Sequence, residues 1–257
     1  MKWTLEAEEL LKKVPFFVRK KVKKEVEKFL SSQGKTEVTK EDLLYAKKVL
    51  LKKLSSAEKG YEVTGCFGEN CPNSIINSQK FIKEVEKLLE KENLTEFLIK
   101  KTKGDLKAHN KFKVGFADCP NACSQIYIMD IAIHAFLVPE IFLEKCKLCK
   151  KCFKVCEEEA IFLKGKVPKI DEEKCVGCGA CVKVCPENAI RVKFKGYKVY
   201  IGGKLGRHPR LASFLKVVKE EELMETIKKI VEFYKRENEK GERLGTIIQK
   251  KKIFPSV

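Results

Sequence analysis

At 257 residues the chain is long enough for one main core and one or two small modules, and 44% hydrophobic residues is ordinary for a globular protein. Its formal charge of +18 suits anionic substrates, anionic cofactors or an acidic partner. No nucleic-acid-binding motif accompanies that charge and the lysines are scattered along helical patterns, which argues against nucleic acid. Met1-Lys2-Trp3 runs directly into the acidic segment Glu6 to Glu9 without a signal peptide, so a cytoplasmic protein is expected. Twelve cysteines in that compartment point to metal or redox chemistry.

Residues 1–58 read as three short helices. Thr4 is placed to cap the first, and Pro15 to open the second, where its missing N–H costs nothing. Val18, Val22, Val26, Phe29 and Leu30 recur at helical spacing, and Thr39 with Asp42 is a capping-box pair for the third helix. The stretches Trp3 to Leu11, Val14 to Arg19, Val38-Thr39 and Ala46-Lys47 resemble the small C-terminal domain of the light-independent protochlorophyllide reductase B subunit. That resemblance implies a helical accessory domain near a tetrapyrrole or a redox partner and carries no catalytic role. Ser55 to Gly60 reads as a linker.

Two cysteine pairs follow. Cys66-Phe-Gly-Glu-Asn-Cys71-Pro-Asn precedes a helical pattern from Ile75 to Leu89 and another around Leu94 to Ile99; the strand-like Phe112 to Phe116 then leads into Cys119-Pro-Asn-Ala-Cys123. Buried free thiols are the bland alternative, since cysteine packs well in cores, but the repeated Cys-Pro-Asn and the tight second pair favour ligation. The pattern resembles the siroheme-containing sulfite and nitrite reductases. By that resemblance Cys66, Cys71, Cys119 and Cys123 hold a [4Fe-4S] cluster and Cys123 bridges it to siroheme, although four residues separate Cys66 from Cys71 where the family usually has five. The most apolar run, Ile126 to Phe142, contains Asp130, His134 and Pro139, so it reads as a buried element and not a membrane span.

The most specific signal spans 144–195. Cys146, Cys149, Cys152 and Cys156, then Cys175, Cys178, Cys181 and Cys185, each have the C-x2-C-x2-C-x3-C spacing of a two-cluster ferredoxin. The fourth cysteine of each run ligates the other cluster. One set is therefore Cys146, Cys149, Cys152 and Cys185; the other is Cys175, Cys178, Cys181 and Cys156. Structural zinc pairs two-cysteine knuckles instead, and a disulfide scaffold belongs to secreted chains. Ala160 to Leu163 and Ala189 to Val192 repeat as short apolar strands. Glu157 follows Cys156 where proline is usual. Three clusters, each roughly −2 with its thiolates, would lower the net charge to roughly +12.

Lys198 to Ile201 reads as a strand and leads to a glycine-rich basic loop, Gly202 to Ala212, similar to the segment after the inserted ferredoxin in dissimilatory-type sulfite reductases. That similarity implies Lys204, Arg207 and Arg210 as binders of the siroheme carboxylates, with Arg207 and Arg210 also near the reacting anion; a turn with solvated arginines is the alternative. Glu220 to Tyr234 is an amphipathic helix. The expected fold is α+β: a siroheme-reductase-type cluster domain over 60–143 and 196–257, with a bacterial ferredoxin-like domain inserted at 144–195.

The implied function is reduction of sulfite or nitrite, electrons passing from two ferredoxin clusters to a third coupled to siroheme. A redox partner protein would supply them. Family enzymes carry a further domain rich in Arg and Lys ahead of the first cysteine motif, whereas the helical module here has only Arg19; Lys80, Lys83 and Lys113 are candidate replacements. The family also pairs two related halves, so a homo- or hetero-oligomer is expected. Two alternatives stand: a non-catalytic electron-transfer subunit with three clusters, and a tetrapyrrole carrier or assembly protein.

Overall fold

The computed structural model describes residues 1–56, 59–66, 68–102 and 106–256, in two compact units, 1–58 and 59–257. In the first, β1 (Lys2–Trp3), α1 (Leu5–Lys12), α2 (Phe16–Ser31), β2 (Glu37–Val38) and α3 (Lys40–Ser56) follow in order, with β1 and β2 parallel. Thr4 caps α1 by accepting the Ala7 N–H, and Pro15 immediately precedes α2. The capping box forms: Thr39 Oγ1 accepts the Asp42 N–H and Asp42 Oδ2 accepts the Thr39 N–H, both at 3.2 Å. Lys35 Nζ lies 2.8 Å from Asp42, and its hydrogen bond is the main cause holding that carboxyl below its ordinary range. Ala7, Val26, Leu30, Val38, Leu43 and Ala46 make the core. The linker expected at Ser55 to Gly60 begins later, because α3 runs through Ser56 with no proline to stop it; Ala57 and Glu58 lie outside the described residues.

The second unit contains β3 (Tyr61–Thr64), α4 (Gln79–Lys91), α5 (Leu94–Thr102), β4 (Phe112–Ala117), β5 (Ile131–Ile141), α6 (Lys151–Val155), β6 (Ile161–Lys164), β7 (Val167–Ile170), α7 (Ala180–Val184), β8 (Ile190–Ile201), β9 (Ser213–Val218), α8 (Glu220–Glu237) and α9 (Leu244–Lys251). One sheet has the order β3-β4-β5-β8-β9, parallel from β3 to β5 and antiparallel beyond. Phe112, Val114 and Phe116 alternate along β4 into the core that α4, α5, α8 and α9 close over one face of the sheet. The other face carries the crossover after β4 and the loop after β8, joined through Ala117, Ile126, Ala132, Tyr127 and Tyr200. The architecture is α+β. Among the described residues no helix is long and apolar enough to cross a membrane.

Two elements differ from their sequence patterns. The helix expected from Ile75 starts at Gln79, because tertiary hydrogen bonds claim the preceding turn: the Ile75 N–H donates to the Asp118 carbonyl at 2.8 Å, and Ser74 Oγ donates to the Ile76 carbonyl. The strand expected over Lys198 to Ile201 is the end of β8, which starts at Ile190. Its first half pairs with β5 from Phe136 to Ile141 beyond the reach of the other strands, so β5 and β8 extend as a two-stranded arm with a bulge at Val138/Pro139. Ala189 to Val192 thus leads into the main sheet, and the cysteine-rich segment hangs on the arm with its own hairpin, β6 and β7.

Candidate functional site

Parallel strands end at one edge of a sheet, where such folds carry ligands. Cys66 stands two residues past β3 and Cys119 two residues past β4. The thiols of Cys66, Cys71 and Cys123 all lie within electrostatic reach of Cys119. Asp118 fastens their loops together, accepting the Ser78 N–H at 3.2 Å, while Gln79 Nε2 donates to the Cys66 carbonyl at 2.7 Å. Burial raises the Asp118 carboxyl and the Cys119 thiol; Cys123 is exposed.

The insert carries two further thiol sets around two hollows. One, about 440 Å³ and open to solvent, is lined by Cys146, Cys149, Cys152 and Cys185; the other, about 370 Å³, by Cys156, Cys175, Cys178 and Cys181. These are the crossed groupings expected from the spacing. The two halves repeat one another in detail. The Ala160 N–H points at Cys156 Sγ (3.3 Å) and the Ala189 N–H at Cys185 Sγ (3.2 Å). Leu148 and Lys150, on either side of Cys149, have positive φ, as do Gly177 and Gly179 around Cys178.

The halves differ in what faces them. A Cβ on Gly177 would run into the Leu137 carbonyl and one on Gly179 into the Leu137 side chain, and the Leu137 N–H donates to the Gly177 carbonyl at 3.1 Å. The second run is therefore packed against β5, whereas Leu148, Cys149 and Lys150 are exposed. Lys183, between Cys181 and Cys185, reaches back to the first thiol quartet: its Nζ donates to the Pro72 carbonyl at 2.7 Å, next to Cys71.

The donor chemistry fits iron–sulfur clusters. Burial pushes the Cys152 and Cys175 thiols up and Cys181 up to about 12, so ionisation to the ligand form calls for a cationic core beside them. Among the described residues, no three His, Cys, Asp or Glu side chains converge on one metal ion. The insert's small core consists of Ile161, Ile190 and Cys181 with the half-buried Cys152, Cys156 and Cys185 against it.

In the loop after β8, Lys204 is buried, its Nζ donating to Thr246 Oγ1 of α9 at 3.2 Å. Arg210 donates to the Gly245 carbonyl and to Ser213 Oγ, and Arg207 is exposed. Among the described residues no carboxylate forms an ion pair with Lys204 or Arg210. The loop meets the Cys119–Cys123 segment through Ala122, Tyr127 and Ala212. Lys80 and Lys113 are each tied to a glutamate, Glu220 and Glu62.

Three participants have only a faint signal in sequence, a polar residue inside or beside an apolar run. Asp130, fully buried, accepts Arg243 Nε at 2.7 and 2.9 Å and the N–H groups of Lys113 (2.8 Å) and Leu244 (3.0 Å). Arg243 also reaches the Gly203 carbonyl, so this pair anchors the start of the basic loop. His134, hydrogen-bonded through Nδ1 to Tyr127 Oη, is lowered to about 4, chiefly by burial, and is neutral at pH 7.

Residues 57–251 match the nitrite and sulphite reductase 4Fe-4S domain, and residues 3–47 the proto-chlorophyllide reductase 57 kD subunit. The chain belongs to the nitrite and sulphite reductase 4Fe-4S domain family, a family of iron–sulfur oxidoreductases. The coenzyme F420-dependent sulfite reductase of Methanocaldococcus jannaschii is 35% identical over 185 residues, 71% of this chain and 28% of that one. The B subunit of the light-independent protochlorophyllide reductase from Chlorobium limicola is 58% identical over 50 residues, 20% of this chain and 9% of that one. A crystal structure of dissimilatory sulfite reductase I shares the fold, with a TM-score of 0.50 at 18% identity over 73% of this chain and 49% of that one. The chain thus spans 28% of the methanogen enzyme's length and 9% of the Chlorobium protein's.

Proposed function

We propose that this chain carries the electron-transfer and reducing centre of a cytoplasmic siroheme-dependent sulfite or nitrite reductase. The observation that carries the reading is that Cys66, Cys71 and Cys123 lie within electrostatic reach of Cys119, on loops whose matching Cys-Pro-Asn steps are forty-eight positions apart. In this reading the quartet holds one [4Fe-4S] cluster, and the two insert sets hold two more. Siroheme, when bound, would supply the chemistry for multi-electron reduction of a small oxyanion. The chain's own residues do the rest. Cys123, exposed at the end of its loop, is free to bridge outward; Lys204 and Arg210, without carboxylate partners, are free to bind cofactor carboxylates; N–H groups pointing at Cys156 and Cys185 tune potentials. A redox protein feeds the insert, and a second chain completes the pocket.

Anaerobic purification followed by iron analysis and an absorption spectrum tests this. The expected result is about twelve irons per chain, four for each thiol quartet, with siroheme bands and viologen-driven reduction of sulfite or nitrite. About eight irons, on the same counting, would remove the Cys66/Cys71/Cys119/Cys123 centre. A second reading, a three-cluster electron-transfer subunit, is favoured by the exposure of Arg207 and by the glutamates that hold Lys80 and Lys113. Clusters without heme would establish it.

A further inference from the structure

The two thiol sets of the insert are unequal in their surroundings, and the difference is electrostatic as well as steric. Around the Cys146/Cys149/Cys152/Cys185 hollow stand Lys147, Lys150 and Lys151, with Lys145 and Lys154 on the same short run, all exposed. The acids on the same run or lining the hollow are Glu144, Glu157 to Glu159 and Glu187, of which Glu187 is taken by Lys147 at 2.9 Å. Among the described residues no carboxylate pairs with Lys145, Lys150, Lys151 or Lys154. The other hollow is lined by Glu158 and no lysine, and its Gly177-Cys178-Gly179 turn is covered by Leu137.

Backbone conformation marks the same polarity. The left-handed positions that must be glycine against Leu137 are Leu148 and Lys150 in the outer run, at φ of 54° and 59°. A side chain is strained there relative to glycine, and both residues are exposed beside the exposed Cys149. An exposed, apolar Leu148 on a run of exposed lysines has the layout of a transient docking site, a small apolar centre with a charged rim.

We propose that the Cys146–Lys154 face is the electron-entry surface and that its partner is an acidic protein bearing a one-electron redox centre. The inference rests on the reading that the insert holds clusters, and it goes further in naming which set is outermost and what chemistry docks on it. Opposite charge steers the encounter, raising the association rate by about 10- to 1,000-fold at low ionic strength. The inner set, fastened by Gly177 to Leu137 and by Lys183 to the Cys71 loop, then passes electrons inward.

The test is stopped-flow reduction of the full chain, clusters loaded anaerobically, with a reduced acidic 2[4Fe-4S] ferredoxin as the probe, across a range of salt. Lys150→Gln/Lys151→Gln/Lys154→Gln should lower the second-order rate constant at least about tenfold at low salt and flatten its salt dependence. Methyl viologen radical should still bleach the clusters of the variant fully. Lys87→Gln/Lys91→Gln/Lys229→Gln, the same change of charge on exposed positions of α4 and α8, should stay within about twofold of the parent, since distant charges are screened. An unchanged salt slope in the first variant, or an equal loss in the second, overturns the docking face. A chain that binds iron at none of the insert cysteines overturns the cluster reading, and this proposal with it.

Discussion

Arg243→Met is the most informative single change, because Asp130 has no exposure to solvent. Its carboxylate takes two bonds from Arg243 Nε and one each from the N–H groups of Lys113 and Leu244. Removing one partner of a buried ion pair costs about 3–5 kcal/mol. The two remaining backbone donors soften the loss towards the lower figure, about 3 kcal/mol, since hydrogen bonds to charged groups keep about 1.5–3 kcal/mol each. For a unit of this size that is roughly 6–12 °C in Tm.

The loss should also depend on pH. Burial, the dominant influence, already raises the Asp130 carboxyl, and Arg243 opposes that rise. Without Arg243 the folded carboxyl rises further above its unfolded value, so the folded state holds a proton that the unfolded state releases. Stability then falls as pH climbs from the ordinary carboxylate range through the folded value. Anaerobic urea unfolding followed by circular dichroism at pH 5 and pH 8 should show the larger deficit at pH 8. Asp130→Leu/Arg243→Met should recover much of it, because an apolar replacement leaves no buried charge. A deficit below about 1 kcal/mol, the scale of an exposed pair, would refute the reasoning, as would equal deficits at the two pH values.

Gly177→Ala should loosen the insert from β5, since its Cβ meets the Leu137 carbonyl at a left-handed position; limited proteolysis should then cut within 144–189 of the variant well before the parent. Lys183→Met should speed hydrogen exchange at the Cys71 and Ser74 amides while leaving β4 protected, and unchanged exchange there would deny the lysine its clamping role. In the first unit Asp42→Ala should cost about 1 kcal/mol, the value of a helix cap. Because the Asp42 carboxyl is lowered in the folded state, its contribution is present above the ordinary carboxylate range and is lost as pH falls through the folded value, which a thermal-unfolding series from pH 7 to pH 3 would register.

The grouping of thiols around the two hollows followed the two-cluster ferredoxin spacing, and the Thr39/Asp42 box was legible because it is local. The start of α4 was not: Ile75 and Ile76 keep helical spacing, yet Asp118, more than forty residues away, claims the Ile75 N–H. The length of β8 was hidden by Arg191, Lys193 and Lys195, which alternate with Val192 and Phe194 on a strand whose outer half has solvent on both sides. Lys183 looked like any lysine of a charged chain, because its partner carbonyls come from a loop more than a hundred positions earlier. Lys204 was singled out for its glycine-rich setting, but its burial depends on Thr246 and α9.

The extended β5–β8 arm has a mechanical consequence. A domain inserted through two loose loops would swing, and the separation between its redox centres and those of its host would be an average over many orientations. Here both connections are strands laddered to each other out to Ile141 and Ile190, with Lys183 as a second point of attachment. Bending such a ribbon breaks hydrogen bonds in register, so the insert behaves as a cantilever with a prop. In the proposed function the thiol sets hold the redox centres, and since tunnelling falls off steeply with distance, that stiffness would build the transfer rate into the ground-state geometry and leave motion to the docking of the proposed donor.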